Sequence, residues 1–266
     1  MKLTDFEVLT FGCYGTLIDW ERGIMETLEP WLAPPISPPQ AGGIKGGVTA
    51  TPAEILEAFA RHEAEQEAAH PSMLYPELLA RVHQKLAQEW GVRSTEADGM
   101  AFGASVGKWP AFPDSAPALQ YLKRYYKLVI LSNVDRASFA ASNEKLGVAF
   151  DLIITAQDVG SYKPNPANFD YLLRQLAGLG IEKSKILHTA QSLFHDHVPA
   201  TQLGLATNWI DRRHGREGWG ATPPPPAEVT INFRASSMAD FVKQHQASVD
   251  PIFEEPASSD AATFGI

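Results

Sequence analysis

The sequence predicts an α/β fold: a Rossmann-like doubly wound parallel sheet core with an inserted helical cap domain. Three observations lead to this prediction. Short apolar runs of strand type alternate with amphipathic helices through the second half of the chain. Such alternation is typical of right-handed βαβ units, which form a parallel sheet covered on both faces. A further strand pattern opens the chain, and the region between the two has only helical patterns.

The first strand and the turn after it are the best-defined part of the sequence. Val8, Leu9 and Phe11 form a short apolar run of buried-strand type. Gly15 allows a tight turn, and Thr16 places a hydroxyl where the strand ends. A helix with apolar residues at helical spacing is expected at 22–32.

The helical block continues after a segment rich in proline and glycine at 33–47, which predicts a long loop. Thr51-Pro52-Ala53-Glu54 is a capping box with proline at the first helical position. It opens a helix to about Ala69, with Ile55, Leu56 and Phe59 on one face and many glutamates on the other. Further helices are expected at 75–90 and 96–106.

In the second half, the apolar runs predict strands at 128–133, 151–155, 186–189 and 206–210, with an edge strand at 229–233. Helices are expected at 115–125, 135–146, 165–176, 196–203 and 238–244. We therefore predict a core formed by residues 1–19 and 111–250, a helical cap at 20–110, and a loose tail at 251–266.

Composition narrows the class of protein. The 266 residues carry a formal charge of -9, which argues against a nucleic-acid groove because such a groove needs a basic stripe. No apolar run approaches the length of a membrane span, and no signal region precedes the first strand. We expect a cytoplasmic protein with no nucleic-acid or membrane partner. The sequence leaves open whether it is a homodimer.

Ligands of open parallel sheets bind beyond the carboxyl ends of the strands. The segments expected there are the candidate site, whatever the family: 12–16, 132–133, 160–163 and 191–196.

These segments resemble the motifs of the haloacid dehalogenase superfamily. Its first motif is a strand followed by D-x-[D/Y]-G-T-L, and here Gly12-Cys13-Tyr14-Gly15-Thr16-Leu17 stands in that place. Ser132-Asn133 resembles the second motif, and Gly160-Ser161-Tyr162-Lys163-Pro164-Asn165-Pro166 matches G-x-x-K-P-x-P. The segment 190–197 fills the fourth motif. Tyr14, where phosphatases have a second aspartate, points to the L-2-haloacid dehalogenase branch.

The resemblance implies a hydrolase that needs no metal or cofactor and acts on a small anionic organic substrate. The fourth motif keeps only Asp196, with Gln191 where a second acid is expected, so too few carboxylates remain for Mg²⁺. The implied catalytic positions are Gly12, Lys163, Asp196 and His195. The implied substrate-binding residues are Tyr14, Thr16, Ser132, Asn133, Gln191, Trp20 and Trp109. Arg22, Arg61 and Arg81 are alternatives for an arginine supplied by the cap.

Gly12 replaces the aspartate that is the covalent nucleophile in this family, so we expect no dehalogenation by the chain as it stands. Three explanations stay open: a dehalogenase altered at one residue, a natural member that uses the pocket for non-covalent acid–base chemistry, and a ligand-binding protein without activity. Cys13 is interpreted as a buried apolar residue and not as a substitute nucleophile. Lys163 either binds an external carboxylate beside the 12–16 turn or pairs with Asp196.

Overall fold

The computed structural model describes residues 1–32, 48 and 50–249. Within them, six parallel strands form one sheet in the order β3-β2-β1-β4-β5-β6, which confirms the predicted α/β fold class. The strands are β1 (Val8–Phe11), β2 (Lys127–Ser132), β3 (Leu152–Thr155), β4 (Ile186–Ala190), β5 (Ala206–Ile210) and β6 (Phe233–Ala235). The loop expected at 33–47 and the tail expected at 251–266 lie outside the described residues.

Helices lie between the strands and after them, and four of the five that follow β1 before β2 begins lie within residues 20–103. These four are α1 (Trp20–Leu32), α2 (Pro52–Ala69), α3 (Tyr75–Trp90) and α4 (Glu96–Gly103), called here the inserted helices. The others are α5 (Ser115–Leu122), α6 (Arg136–Asn143), α7 (Ala156–Val159), α8 (Pro166–Gly178), α9 (Val198–Gln202) and α10 (Met238–Val249). No helix of the described residues is long and apolar enough to cross a membrane.

Three predicted elements have different bounds in the structure. The edge strand is β6 and not 229–233, because side-chain bonds hold the segment before it: Thr207 Oγ1 donates to Thr230 O, and Thr207 N donates to Asn232 Oδ1. The helix expected to reach residue 106 ends at Gly103, which lies against the carbonyl of Pro76. The helix expected at 196–203 is a π-helical turn, Leu193–His197, followed by α9.

The sheet has an apolar layer on each face, as two-sided burial of parallel strands requires. Leu9 and Phe11 of β1 belong to the larger apolar cluster, and the alternate residue Val8 belongs to the smaller one. The larger cluster continues into the inserted helices through fully buried side chains such as Phe59 and Leu78. Burial of each such side chain contributes about 1.5–3 kcal/mol.

The chain leaves β1 and returns towards β2 along adjacent paths. Asp19 N donates to Pro110 O at 2.8 Å, and Phe112 N donates to Leu17 O at 3.0 Å. The chain therefore enters and leaves the inserted helices at one place, beside the carboxyl end of β1. Their assignment to a separate cap domain at 20–110 stays a prediction.

Candidate active site

The polar side chains at the carboxyl ends of β1, β2 and β4 meet the inserted helices around a cavity of about 30 Å³. That volume accommodates about one water molecule. The cavity is lined by Gly12, Cys13, Tyr14, Ser132, Asn133, Lys163, Ser192, His195 and Asp196 from or near the sheet, and by Trp20, Glu63, Glu67 and Tyr75 from the inserted helices. Eight of the eleven predicted site residues are among these.

The space beside Gly12 is taken by a carboxylate from another part of the chain. A Cβ atom at position 12 would lie 3.1 Å from Asp196 Oδ2 and 3.2 Å from the Cβ of Ala190. Both contacts are shorter than the ordinary separation of non-bonded heavy atoms, about 3.5–4.0 Å. The acidic group nearest to this position is therefore Asp196.

Asp196 and Lys163 form an ion pair that is almost fully buried. Lys163 Nζ donates to Asp196 Oδ1 at 2.6 Å and to Leu131 O at 2.8 Å, and the two side chains are 4% and 5% exposed. His188 Nε2 lies 2.9 Å from the same Oδ1. Burial opposes ionisation of Asp196, but Lys163 and His188 outweigh it and hold its pKa well below the usual range.

The ion pair agrees with the second alternative given for Lys163, in which it pairs with Asp196. The geometry favours a Lys163–Asp196 pair over an external carboxylate beside the 12–16 turn, because the positive charge already has a partner at hydrogen-bond distance. Asn133 is also engaged: its Nδ2 donates to Glu67 Oε1 and Lys163 O, each at 3.0 Å, and its Oδ1 accepts from Lys163 N at 2.8 Å.

A second buried cluster lies across the cavity and consists of Glu63, Glu67 and His195, called here the Glu–Glu–His cluster. One ligand atom from each lies within 4.8 Å of the other two, and His195 Nε2 is 3.5 Å from Glu67 Oε2. Glu63 and Glu67 are separated by one turn of α2, so that both face the sheet.

In each residue of the Glu–Glu–His cluster, one polar atom contacts a hydrogen-bonding neighbour and the other polar atom does not. Glu63 Oε1 accepts from Tyr75 OH at 2.5 Å, Glu67 Oε1 accepts from Asn133 Nδ2, and His195 Nδ1 lies 3.0 Å from Ser192 Oγ. Glu63 Oε2, Glu67 Oε2 and His195 Nε2 are buried and have no hydrogen-bond partner among the described residues.

Burial shifts all three pKa values towards the neutral forms. Burial, and after it the nearby Glu67 carboxyl, raise the pKa of Glu63 to about 8. Burial also raises the pKa of Glu67 to about 8, against the opposing effects of Asn133 and Lys163. Burial lowers the pKa of His195, while nearby carboxylates oppose that shift. Two acids and a neutral imidazole therefore face one another at neutral pH.

The π-helical turn after β4 explains how adjacent residues serve the two clusters. Ser192 begins the turn, since its Oγ accepts from His195 N at 3.0 Å. Asp196 then faces Gly12 and Lys163, whereas His195 faces Glu67. Such wide turns are frequent at functional sites. The neighbouring His197 lies apart from both, with Nε2 2.8 Å from Ala190 O.

The other three predicted site residues lie outside the cavity. Thr16 Oγ1 accepts from Gln191 N at 2.9 Å, so the hydroxyl joins β1 to β4, and the Gln191 side chain lines cavities on the far side of that contact. Trp109 packs against Gly23 of α1 and edge-on against Tyr14, with Nε1 donating to Ser105 Oγ. These positions fit structural roles.

The three arginines considered for the cap also lie away from the cavity. Arg22 pairs with Glu26 on the exposed side of α1, and Arg61 pairs with Glu89. Arg81 is exposed, with its nearest recorded polar contact at His70. The described lining of the cavity contains no arginine.

Cys13 is 1% exposed, and burial raises the pKa of its thiol to about 12. The thiol therefore stays protonated at neutral pH, which is the unreactive form.

Glu63 and Glu67 are the site residues that the sequence did not reveal. We expected the glutamates of α2 on its outer face, and this was wrong for these two, which are 2% and 5% exposed. A signal was present: stepping four residues at a time from the buried Phe59 leads to Glu63 and then Glu67. The carboxylates thus continue the inner face of the helix.

A larger cavity of about 350 Å³ adjoins the small one and shares Glu67 and Lys163 with it. Its volume is in the range of small-molecule sites, about 300–1,000 Å³. Its remaining lining is mostly apolar or uncharged: Ala64, Ala68, Pro71, Ser161, Tyr162, Pro164, Asn165 and Phe194.

A parallel sheet with helices inserted after its first strand, and a buried lysine and aspartate at the strand ends, places the chain among the α/β proteins with polar groups at the carboxyl edge of the sheet. Comparison identifies the family within that class. The model of the haloacid dehalogenase-like hydrolase family matches residues 6–189, and the chain belongs to this family.

Solved structures of similar fold include L-2-haloacid dehalogenases. The one from Xanthobacter autotrophicus with chloropropionic acid covalently bound is 16% identical, with a TM-score of 0.69 over 91% of this chain and 98% of that one. The L-2-haloacid dehalogenase PA0810 is 21% identical, with a TM-score of 0.68 over 90% and 99% of the two chains. The putative hydrolase YfnB of Bacillus subtilis, bound to magnesium, is 14% identical with a TM-score of 0.65 over 90% and 97%. At these identities the likeness concerns the fold.

A curated relative is the pyrimidine 5'-nucleotidase YjjG of Escherichia coli, 28% identical over 113 residues. The match spans 42% of this chain and about half, 49%, of that protein.

Proposed function

We infer that the chain is a hydrolase for a small organic acid or its derivative in which water, and not an enzyme carboxylate, attacks the substrate. The single observation that carries this proposal is the Glu–Glu–His cluster: its three residues line the cavity together with Gly12, and each has a buried polar atom without a partner among the described residues. Glycine offers no nucleophile, and Asp196 is engaged by Lys163 and His188.

The residues provide the groups that non-covalent hydrolysis needs. His195 Nε2 is placed to accept a proton from water, and a neutral Glu67 carboxyl is placed to donate one to a leaving group. Pairs of titratable groups with pKa values shifted apart are the usual basis of acid–base assignments. The cavity of about 350 Å³ that shares Glu67 gives room for the organic part of the substrate.

The proposal favours the second of the three explanations for Gly12, a natural member that uses the pocket without a covalent step. Metal-independence and a cytoplasmic location remain predictions. The anionic group expected of the substrate finds Lys163 already paired in this arrangement.

The test combines turnover with protein mass. The full chain is assayed on p-nitrophenyl acetate, methyl lactate and 2-chloropropionate, while electrospray mass spectrometry follows the protein during turnover. We expect ester hydrolysis without any covalent adduct and no halide release. Glu67→Gln should lower kcat by about 10²–10⁴, the usual contribution of a general acid or base.

The matched control is Glu57→Gln, which changes an exposed carboxylate of the same helix and should leave kcat unchanged. An adduct on the protein, robust halide release, or full activity in Glu67→Gln would contradict the proposal. Absence of turnover on every probe would favour a binding protein.

A further inference from the structure

We propose that Glu63, Glu67 and His195 form a binding site for one divalent first-row metal ion, with Zn²⁺ the ion that the donor set fits best. The proposal shares the cavity of the proposed function but not its chemistry, because the ion is inferred from the ligand atoms and not from the reaction. With the ion bound, His195 Nε2 and Glu67 Oε2 would be ligands, so the acid–base roles proposed above belong to the metal-free chain. The site is an alternative to the expectation of a metal-free cavity.

The first argument is that three buried polar atoms lack partners at one place. Glu63 Oε2, Glu67 Oε2 and His195 Nε2 come from residues that are 2%, 5% and 5% exposed. An unpartnered buried polar atom costs about 1–3 kcal/mol. Protonation of Glu67 Oε2 would offer a proton to His195 Nε2 across only a long contact of 3.5 Å, and Glu63 Oε2 would still have no partner among the described residues. One cation would give all three atoms a partner at once.

The second argument is that each ligand is oriented by a neighbour through its other polar atom. Tyr75 OH holds Glu63 and Asn133 Nδ2 holds Glu67, which leaves one oxygen of each carboxylate for monodentate coordination. Ser192 Oγ lies 3.0 Å from His195 Nδ1; donation from Nδ1–H to this oxygen leaves Nε2 as the bare donor atom. Support of this kind is what fixes the ligands of natural metal sites.

The third argument concerns distances. One ligand atom from each of the three residues lies within 4.8 Å of the other two, and His195 Nε2 is 3.5 Å from Glu67 Oε2. Ligands about 2.1 Å from a tetrahedral Zn²⁺ are about 3.4 Å apart. Small side-chain rotations therefore bring the site to binding geometry, and three protein ligands leave a position for water or substrate.

Charge also balances. Ionised Glu63 and Glu67 would neutralise a divalent ion, and the adjacent Lys163–Asp196 pair is neutral as a whole. Imidazole suits Zn²⁺ while carboxylates accept both Zn²⁺ and Mn²⁺, and the general affinity order places Zn²⁺ above Mn²⁺. Because the two carboxylates neutralise it, the ion would act on a substrate through its open coordination position and not through a net charge.

The experiment measures binding directly. The full chain is stripped with EDTA, dialysed and titrated with Zn²⁺, Mn²⁺ and Mg²⁺ by calorimetry. We expect one Zn²⁺ per chain, weaker Mn²⁺ and no measurable Mg²⁺. Glu63→Gln, Glu67→Gln and His195→Gln should each weaken Zn²⁺ by at least about 100-fold, beyond the upper effect of losing a supporting residue.

The control is His214→Gln, which removes an exposed histidine near Asp211 and should leave the main Zn²⁺ site intact. If a cluster variant fails to fold, the visible spectrum of Co²⁺ bound to the wild-type chain decides: intense bands, displaced by Zn²⁺, support the site. No Zn²⁺ binding, equal loss in His214→Gln, or only the weak spectrum of hydrated Co²⁺ would overturn it.

Failure of the metal site and failure of the proposed function are distinguishable. Ester hydrolysis without an adduct in EDTA, together with no Zn²⁺ binding, would overturn the site and leave the function. Zn²⁺ binding with no hydrolysis would do the reverse.

Discussion

Two buried clusters line the small cavity, and they differ in whether their polar and charged atoms have partners. On the sheet side, Asp196 has Lys163 and His188 within hydrogen-bond distance of one oxygen. On the side of α2, Glu63 and Glu67 face His195 with three polar atoms that have no partner among the described residues. The side chains of the two clusters are almost equally buried. The clusters therefore differ in whether their polar atoms have hydrogen-bond or ion-pair partners, and not in exposure.

The difference teaches where function resides. A paired, hydrogen-bonded ion pair is costly to break but is already satisfied, so it keeps the strand ends in place. Unsatisfied groups in a cavity lower stability and persist where they serve binding or catalysis. We therefore propose that the Lys163–Asp196 pair is chiefly structural and that the Glu–Glu–His cluster is reactive; the catalytic roles first predicted for Lys163 and Asp196 stay predictions.

The largest expected effect comes from breaking the paired cluster. Lys163→Met leaves Asp196 as a buried carboxylate without its cation, which should lower the free energy of unfolding by about 3–5 kcal/mol. Urea denaturation in EDTA at neutral pH measures it. Lys123→Met is the control, because its pair with Asp151 is about one-third exposed on each side and should cost under about 1 kcal/mol. Equal losses would mean that Lys163 is not a structural cation.

A smaller effect is expected from relieving the unpaired cluster. In the folded metal-free chain the pKa values of Glu63 and Glu67 are raised to about 8, against about 4.3 when unfolded. Between these values the folded state holds more protons, so the free energy of unfolding should fall as pH rises from 5 towards 8.

The double change Glu63→Gln with Glu67→Gln should remove this dependence. Relative to wild type, it should gain at least about 1.4 kcal/mol between pH 5 and 8, the value of a single unit of pKa shift. Denaturation at both pH values in EDTA checks it, with Glu57→Gln as the exposed control. A wild-type curve that is flat over this range would show that the carboxyls are ionised and matched by partners. Asp196 has the opposite sign: its contribution is lost only as pH falls below the usual carboxyl range.

The two clusters also differ in how far the sequence foretold them. Lys163 lies in a short motif between Gly160 and Pro164, and Asp196 follows a strand, so local patterns placed both at the sheet edge. The parallel sheet was predictable for the same reason, because each strand carries its own apolar run.

The four-residue step from Phe59 was the one local signal that set Glu63 and Glu67 apart from the other glutamates of α2. Glu54, Glu57 and Glu65 on the same helix are exposed, and only packing against the sheet determines which face is inner. The bounds of β6 were missed for a related reason, since side-chain bonds of Thr207 hold the preceding segment off the sheet. Tertiary contacts decided both cases.

The smallest effect concerns Gly12, which lies beside the paired cluster. Its backbone is not in the left-handed region, so Gly12→Ala adds no backbone strain, but the new Cβ meets Asp196 Oδ2 at 3.1 Å. The carboxylate is the end of a side chain and can shift by a few tenths of an ångström. The reference is Gly178→Ala, where a Cβ has nothing within 4 Å and where alanine stabilises the fold by restricting the unfolded chain. Relative to that variant, we expect Gly12→Ala to lose under about 1 kcal/mol in the free energy of unfolding. Urea denaturation of both variants measures the difference.

A loss in the range of about 1–3 kcal/mol, typical of overpacking, would mean that this pocket has closed around glycine and no longer accommodates a side chain at position 12. The explanation of a dehalogenase altered at one residue would then be excluded, because its nucleophile would have no space. A loss under that range would leave room for a side chain at position 12 and would keep open the explanation of a dehalogenase altered at one residue.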